Sequence, residues 1–330
     1  VTDSDLTTRP VRWGILGAGG IASSLAADIS RTDGHAVGAV AARDADRAAE
    51  FARRYDAPRS FGSYDELYAD DEVDVVYVAT THPFHREQAL AAIEAGKPVL
   101  VEKPLTLDAD GAREVFAASA RAGVFAMEAM WMRTNPLVRQ ALDLVAGGEL
   151  GEVRAVQADF AFALDYDPSH RLLDRENGGG ALLDLGIYPA TFAWLFLGAP
   201  DRVQVSGDLA PTGVDRTVAM QWSREDGAIA QLFSSSAVTT SCRATVSGTR
   251  GWLSLEPTFF TPTTMLVSID GEVRRVETEP AGYVPQIEEV GRCLRAGLLE
   301  SPLVPQADTV AILELMDGVR AELGVTYPGE

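Results

Sequence analysis

The chain has 330 residues, 46% of them hydrophobic and 23% charged, and its 28 basic against 48 acidic side chains give a formal net charge of −20. That length is enough for two domains with sizeable cores, and so acidic a surface repels phosphate backbones, which argues against nucleic acid as a partner. No run of about 18 uncharged apolar residues occurs, so no membrane span is expected.

Residues 1–9 are polar, lack an apolar signal core and read as a disordered tail on a cytoplasmic protein. The two cysteines, Cys242 and Cys293, form no framework, fit a reducing compartment and stand near no nucleophile constellation.

Residues 11–16 (VRWGIL) predict a short apolar strand, followed at once by Gly17-Ala18-Gly19-Gly20-Ile21-Ala22 and a helical pattern over 21–30. This is the G-x-G-x-x-A dinucleotide fingerprint in its strand–turn–helix setting. Gly17 permits the tight turn, Gly19 lets a diphosphate approach the backbone, and Ala22 is small enough for close helix–strand packing. The helix N-terminus, at Gly20 and Ile21, attracts the negative charge. Residues 35–42 read as the second strand. About 20 residues beyond the fingerprint, a carboxylate is expected if the cofactor carries a free ribose 2′-hydroxyl; here stand Ala42 and Arg43. Arg43 suits a 2′-phosphate, so NADP(H) is preferred, with NAD(H) possible. Asp44 reads as the cap of a helix over 45–55, and Arg47, one turn in, is a second phosphate partner or a solvated helix charge.

Residues 63–71 form a short helix-like link and 73–79 a buried parallel strand. Thr80 and Thr81 follow in the loop at its carboxyl end, placed to face the cofactor's ribose or nicotinamide, and Pro83 opens a helix over 84–95. His82 and His85 have no third ligand at metal spacing; His85 is assigned to the cofactor edge or to a helix-start hydrogen bond. Next comes the stretch 98–104, Pro-Val-Leu-Val-Glu-Lys-Pro, a strand that ends in a carboxylate, an ammonium and a proline. Beyond the carboxyl ends of a parallel sheet is where ligands sit, so Glu102 and Lys103 would occupy the rim and Pro104 would stop the strand. A helix over 108–123 and a strand over 124–129 complete the alternation of a doubly wound sheet.

After Met130 the pattern changes. A helix over 135–146 and a long alternating strand over 152–164 precede strand-like runs between 201 and 277, which predict an antiparallel sheet. Two helices, over 284–299 and 306–323, close the chain. Between the strands lies Gly178-Gly179-Gly180 followed by Ala181 to Pro189. The glycines suggest a backbone path close to a ligand. In a helix from Ala181, Asp184 and Tyr188 stand at i and i+4, with a kink at Pro189 aiming Tyr188 into a cleft; the alternative is a buried structural pair.

The fingerprint, the run 95–104 and the stretch 178–188 together resemble the glucose–fructose oxidoreductase / inositol dehydrogenase / rhizopine catabolism (Gfo/Idh/MocA) family over nearly the whole chain. Many members carry His where Tyr188 stands. The Tyr, together with the segments 127–133 and 280–289, resembles the branch of dimeric dihydrodiol dehydrogenases and NADP-dependent xylose dehydrogenases. That likeness implies Lys103 and Tyr188 as the catalytic pair, NADP as the usual cofactor, a sugar, cyclic polyol or dihydrodiol as substrate, and a homodimer or homotetramer. An exposed, partly apolar face of the second sheet would be a natural subunit contact.

An unperturbed phenol, at about 10, is too weakly acidic to serve as a base near neutrality. A Lys103 ammonium would favour phenolate and Asp184 would oppose it, so Asp184 is expected to anchor Lys103 or a substrate hydroxyl, and Glu102 to hold the cofactor side. Trp131 and Phe160 offer apolar faces to a substrate ring. Arg133, Arg171 and Arg175 offer cations to cofactor or substrate oxygens, or serve as packing and surface charge.

The expected fold is therefore α/β: a Rossmann domain over 10–130, then a substrate-binding and oligomerisation α+β domain over 131–330 with a large, mostly antiparallel open-faced sheet. The expected function is an NADP(H)-dependent oxidoreductase on a secondary alcohol or carbonyl. The alternatives are a non-catalytic nucleotide-binding regulator and a glycosidase that recycles its nicotinamide.

Overall fold

The computed structural model describes residue 6 and residues 8–328. The first part of the chain alternates strand and helix: β1 (Val11–Leu16), α1 (Gly20–Arg31), β2 (His35–Ala41), α2 (Ala45–Arg54), β3 (Arg59–Phe61), α3 (Tyr64–Tyr68), β4 (Val75–Val78), α4 (His85–Glu94), β5 (Val99–Val101), α5 (Ala109–Ala122) and β6 (Ala126–Glu128). The six strands lie in the order β3-β2-β1-β4-β5-β6, all parallel. This is the doubly wound order that the alternation predicts. Its middle strands are buried on both faces, as the unbroken Val75–Val78 run requires. Only β3, three residues with no periodicity to read, was not foreseen.

The second part comprises α6 (Pro136–Ala146), β7 (Val153–Ala161), α7 (Ile187–Leu197), β8 (Arg202–Leu209), β9 (Asp215–Ser223), β10 (Ile229–Ser235), β11 (Ala244–Gly248), β12 (Gly251–Leu255), β13 (Thr264–Ile269) and β14 (Glu272–Glu277). They form an eight-stranded sheet, β14-β13-β12-β11-β7-β10-β9-β8, antiparallel except where β10 runs beside β7. Alternation sets its two faces. Val218, Met220 and Trp222 of β9 and Ala230 and Leu232 of β10 are buried, and α7 packs on β7, β10 and β11. The segment Arg175–Leu197 is long and apolar enough for a membrane span, yet 78% of its apolar window is buried; it is the core helix of this sheet.

On the other face, Gln204, Gln221, Gln231 and Gln157 stand in register across β8, β9, β10 and β7. Their side chains are exposed and pair as Gln157 Nε2 to Gln231 Oε1 at 2.8 Å and Gln221 Nε2 to Gln204 Oε1 at 3.4 Å.

The chain ends with α8 (Val284–Arg295) and α9 (Gln306–Leu323). The two compact units do not divide at a single boundary: Gly282–Val310 joins the residues up to Trp131, and Met132–Ala281 joins Ala311 onward. The expected uninterrupted second domain, 131–330, is corrected accordingly. Within the first unit the returning segment is tied by the Tyr283 amide on Asp28 Oδ2 at 2.7 Å, Gln306 Nε2 on the Ala126 carbonyl at 3.1 Å and Thr309 Oγ1 on Glu128 Oε2 at 3.1 Å. Bonds of this kind leave no trace in local periodicity.

The expected tail is corrected where it is described. Leu6 is buried, and Arg9 forks Asp74 at 2.5 and 2.9 Å. Residues 1–5 and 7 lie outside the described residues.

The Asp74 carboxyl also accepts from Arg12. Burial alone would raise it, but the two guanidiniums outweigh burial and hold it below the usual carboxylate range.

His35, at the start of β2, is buried and accepts the Trp13 indole N–H at 3.0 Å. Burial, reinforced by the Arg295 guanidinium, lowers its imidazole to about 4. A histidine lowered in this way stabilises the fold above its unfolded value, near 6.5, and the contribution disappears as pH falls toward 4. His35→Asn keeps an acceptor for Trp13 and removes the titration. In urea titrations between pH 7 and 4 the wild type should lose stability more steeply than this variant; parallel curves would show that His35 contributes nothing.

Candidate active site

Within the first unit, the parallel sheet gathers the expected cofactor residues at the carboxyl ends of its strands. Gly17 has φ +93°, a left-handed value, and a Cβ there would stand 3.0 Å from the Ala79 carbonyl, so only glycine fits. In front of Gly19 and Gly20 a Cβ would meet nothing within 4 Å. No side chain caps α1 and no acidic residue stands in its first turn, which begins Gly20-Ile21. Bare amides, a positive helix end and unobstructed backbone fit a diphosphate, so this loop fits a dinucleotide.

At the end of β2, Ala42 is buried and its amide bonds the Phe61 carbonyl at 3.2 Å. Arg43 is exposed. Asp44 is committed to α2, its Oδ1 accepting the amides of Asp46 and Arg47 at 3.0 and 3.2 Å. Arg47 reaches back to the Ala18 carbonyl of the fingerprint turn at 3.3 Å. Tyr64, which the sequence reading passed over, lies close to both arginines: burial raises its phenol pKa, and Arg43 and Arg47 offset part of the rise. Two exposed cations beside an aromatic ring, with Asp44 already engaged by the α2 amides, fit an adenosine 2′-phosphate.

At the end of β4, Thr80 Oγ1 donates to Gln88 at 2.6 Å, and the Thr81 carbonyl receives the Phe84 amide at 3.0 Å. His85 is corrected from cofactor contact to support. It is fully buried, with Nδ1 2.9 Å from the Pro104 carbonyl and Nε2 3.1 Å from that of Thr80. The imidazole therefore ties the loop after β4 to the loop after β5. Burial holds its pKa below the usual histidine value although both carbonyls pull it upward.

Glu102 is buried at the end of β5, receives the Tyr77 hydroxyl and also accepts the Lys103 amide at 3.2 Å. Lys103 follows on the rim, joined to Pro104 by a cis peptide bond. Past β6, Trp131 stacks on Tyr283 with ring centroids 4.3 Å apart; both lie in segments that carry the branch resemblance, 127–133 and 280–289, but Tyr283 was given no role from the sequence.

In the second unit, the expected Asp184 and Tyr188 sit on one continuous helix of unexpected geometry. Leu182–Gly186 is a π turn, and α7 follows from Ile187. The expected i, i+4 pairing on an α-helical face is therefore corrected. Pro189 lies in the first turn of α7 and lacks an N–H for the backbone behind it; the wider turn just upstream is where such a defect is absorbed.

Asp184 is 5% exposed and is gripped by Arg171 in a two-pronged pair, 3.0 and 2.8 Å. Arg171 thus has a carboxylate partner within its own unit, the sequence having left it between a contact to ligand oxygens and a packing or surface charge. Arg175 holds the carbonyl and hydroxyl of Thr326 at 2.6 and 2.7 Å, and Arg133 is buried. Two of the three glycines also have a local cause. A Cβ on Gly179 would stand 2.7 Å from the Arg171 carbonyl, and one on Gly180 (φ +124°) 2.4 Å from Asp215 Oδ1. Their close approach is to the chain itself.

The Tyr188 ring is buried, stacked on Phe260 at 4.4 Å and edge-on to Phe160 at 5.7 Å. Phe160 packs against Phe260 at 4.5 Å. Aromatic walls of this kind fix a ring's plane while its hydroxyl stays directional. Phe260, in the turn before β13, was not anticipated. Both thiols are free, and burial with the neighbouring Glu289 pushes Cys293 up to about 12, which leaves it unreactive.

Residues 11–130 match the oxidoreductase family with an NAD-binding Rossmann fold, and residues 138–254 match the GFO/IDH/MocA C-terminal domain. The trans-1,2-dihydrobenzene-1,2-diol dehydrogenase of Mus musculus is 36% identical over 332 residues, spanning 96% of this chain and 98% of its own length. That of Macaca fascicularis is 37% identical over 333 residues, with the same coverage. Among solved structures, the aldose-aldose oxidoreductase of Caulobacter crescentus, complexed with glycerol, superposes with a TM-score of 0.87 at 25% identity, covering 96% of this chain and 98% of that one. The 3-ketoreductase KijD10 of Actinomadura kijaniata, in complex with NADP and TDP-benzene, does so with 0.83 at 28% identity, covering 95% and 98%. The chain is an oxidoreductase of the Gfo/Idh/MocA family, similar along nearly its whole length to dihydrodiol dehydrogenases.

Proposed function

We propose that this enzyme uses NADP(H) to interconvert a secondary alcohol and a carbonyl on a sugar, cyclic polyol or dihydrodiol, with Tyr188 as proton donor and acceptor and Lys103 as its electrostatic partner. The observation that carries the reading is the Arg171–Asp184 pair. A bare carboxylate one turn from Tyr188 would hold the phenol protonated; a carboxylate neutralised by a guanidinium has far less effect. The nicotinamide, when bound, supplies the hydride acceptor or donor. Tyr188 takes the hydroxyl proton in oxidation and returns it in reduction, its ring plane set by Phe160 and Phe260. The Lys103 ammonium favours the phenolate during that exchange. Glu102, held by Tyr77, fixes the backbone from which Lys103 projects. Trp131, Arg133 and Phe160 are the side chains proposed to meet the substrate.

Incubation with NADP⁺ and a panel of aldoses, cyclic polyols and trans-1,2-dihydrobenzene-1,2-diol should raise the absorbance of reduced cofactor. Lys103→Ala and Tyr188→Phe should each lower kcat at least about 100-fold, the lower range for losing a positioned acid–base group. Full activity in both variants would refute the assigned roles.

The preference for NADP(H) rests on Arg43 and Arg47, and the KijD10 complexes with NADP favour the same reading. Arg43→Ala should weaken NADPH about 10-fold or more, the value of a charge-assisted bond, and leave NADH nearly unchanged. Tighter binding of NADH than NADPH by the wild type would overturn it. A cytoplasmic setting is inferred from the two free thiols.

The exposed face bearing the glutamine row also carries Ile229, 40% exposed, and the partly exposed Phe233. Amide side chains both donate and accept, so a second copy laid across this face by a two-fold axis is complementary to it. We read this face as the contact of a homo-oligomer. Gln221→Arg with Gln231→Arg should shift the sedimentation coefficient to that of the monomer; an unchanged value would exclude this face.

A further inference from the structure

Behind the helix that bears Tyr188 stands a carboxylate with no part in the reaction as proposed. Asp215, the first residue of β9, is fully buried. Its Oδ2 accepts the Leu182 amide at 2.5 Å, and the Ala181 amide also stabilises it. No side chain of the helix's own sequence caps this end, so a residue 33 positions away in sequence supplies the acceptor. The approach is close enough to demand the glycine at 180, where a Cβ would lie 2.4 Å from Oδ1.

The arrangement is costly. Among the described residues Oδ1 has no hydrogen-bond partner, and burial pushes the carboxyl up to about 6 against the pull of the Leu182 amide, the Asp215 and Ala181 amides and the more distant Arg320. A buried anion with an unfilled oxygen destabilises a fold.

What the bond holds is the π turn. At one end Leu182 is pinned to Asp215. Toward the other, Gly186 approaches β10 so closely that a Cβ would stand 2.9 Å from Ser234 Oγ. Asp184 lies between these contacts and Tyr188 directly beyond them. A π turn carries one residue more than an α turn, and slipping back to α spacing would swing every later side chain by about 100°.

We propose that Asp215 is a positioning residue for the reaction: its bond to the Leu182 amide sets the register of the π turn and thereby the aim of the Tyr188 phenol. The inference rests on the role proposed above for Tyr188.

Two measurements on the full chain separate the two ideas: hydrogen exchange of the peptide covering residues 181–188, and turnover of trans-1,2-dihydrobenzene-1,2-diol with NADP⁺, normalised to NADPH-binding sites so that unfolded molecules do not count. In Asp215→Ala, exchange should quicken about 10-fold, matching roughly the worth of a lost cap. In the same variant kcat should fall about 10-fold or more, with NADPH affinity and the KM for the diol within about threefold. Asp215→Asn, which retains an acceptor oxygen, should restore both to within about threefold of wild type. Unchanged exchange in Asp215→Ala, quickened exchange with normal kcat, or an Asn variant as impaired as the Ala variant would each overturn the proposal. A wild-type chain that turns over no substrate would instead sink the proposed reaction, and exchange alone would then decide whether Asp215 holds the turn.

Discussion

Six parallel strands place all their carboxyl ends on one edge, and the nucleotide half of the molecule depends on that constraint. It brings residues up to about 90 positions apart, from the Gly17 turn to Lys103, onto a single rim without any of them having to bond another. The supporting contacts lie behind that rim. His85 ties the two loops that carry Thr80 and Lys103, Tyr77 holds Glu102, and Arg47 braces the fingerprint turn from α2. A ligand arriving there meets amides and exposed cations on a backbone already fixed from beneath, so little ordering remains to oppose binding.

The eight-stranded half solves a different problem. The reaction proposed for Tyr188 needs its phenol held in one direction, on a helix that is apolar on every side and can rotate in its groove without much loss of buried area. The structure counters this with directional contacts: Asp215 on the Leu182 amide, Arg171 on Asp184, and the aromatic rings of Phe160 and Phe260 against Tyr188. Each is specific in geometry where hydrophobic packing is not. The π turn and Pro189 are the local irregularities of this helix, and irregular helix geometry of this kind concentrates at functional sites.

Neutralisation of Asp184 by Arg171 also changes how this half is understood electrostatically. From the sequence, Asp184 would oppose a phenolate at Tyr188 and was therefore expected to anchor Lys103 or a substrate hydroxyl; in the structure it holds Arg171. With the guanidinium in place, the carboxylate becomes part of a neutral pair that ties Arg171 to the helix, and a Cβ would meet the Arg171 carbonyl at Gly179 and Asp215 Oδ1 at Gly180.

By itself the sequence determined the doubly wound first sheet, the fingerprint turn, the capping role of Asp44, the antiparallel second sheet and membership in an oxidoreductase family. The first four rest on short-range signals: strand and helix periodicity, glycine where φ is positive, a carboxylate before a helix; the family rests on the resemblance carried by residues 17–22, 95–104 and 178–188. Only the tertiary structure decided that the returning segment 282–310 packs with the first unit, that His85 is interior, that Arg171 belongs to Asp184, and that Asp215, Tyr64, Phe260 and Tyr283 border the functional groups. Each of those is a contact between residues distant in sequence, made by a side chain whose type is compatible with many partners. Periodicity records which face of an element is buried; it does not record what lies against that face.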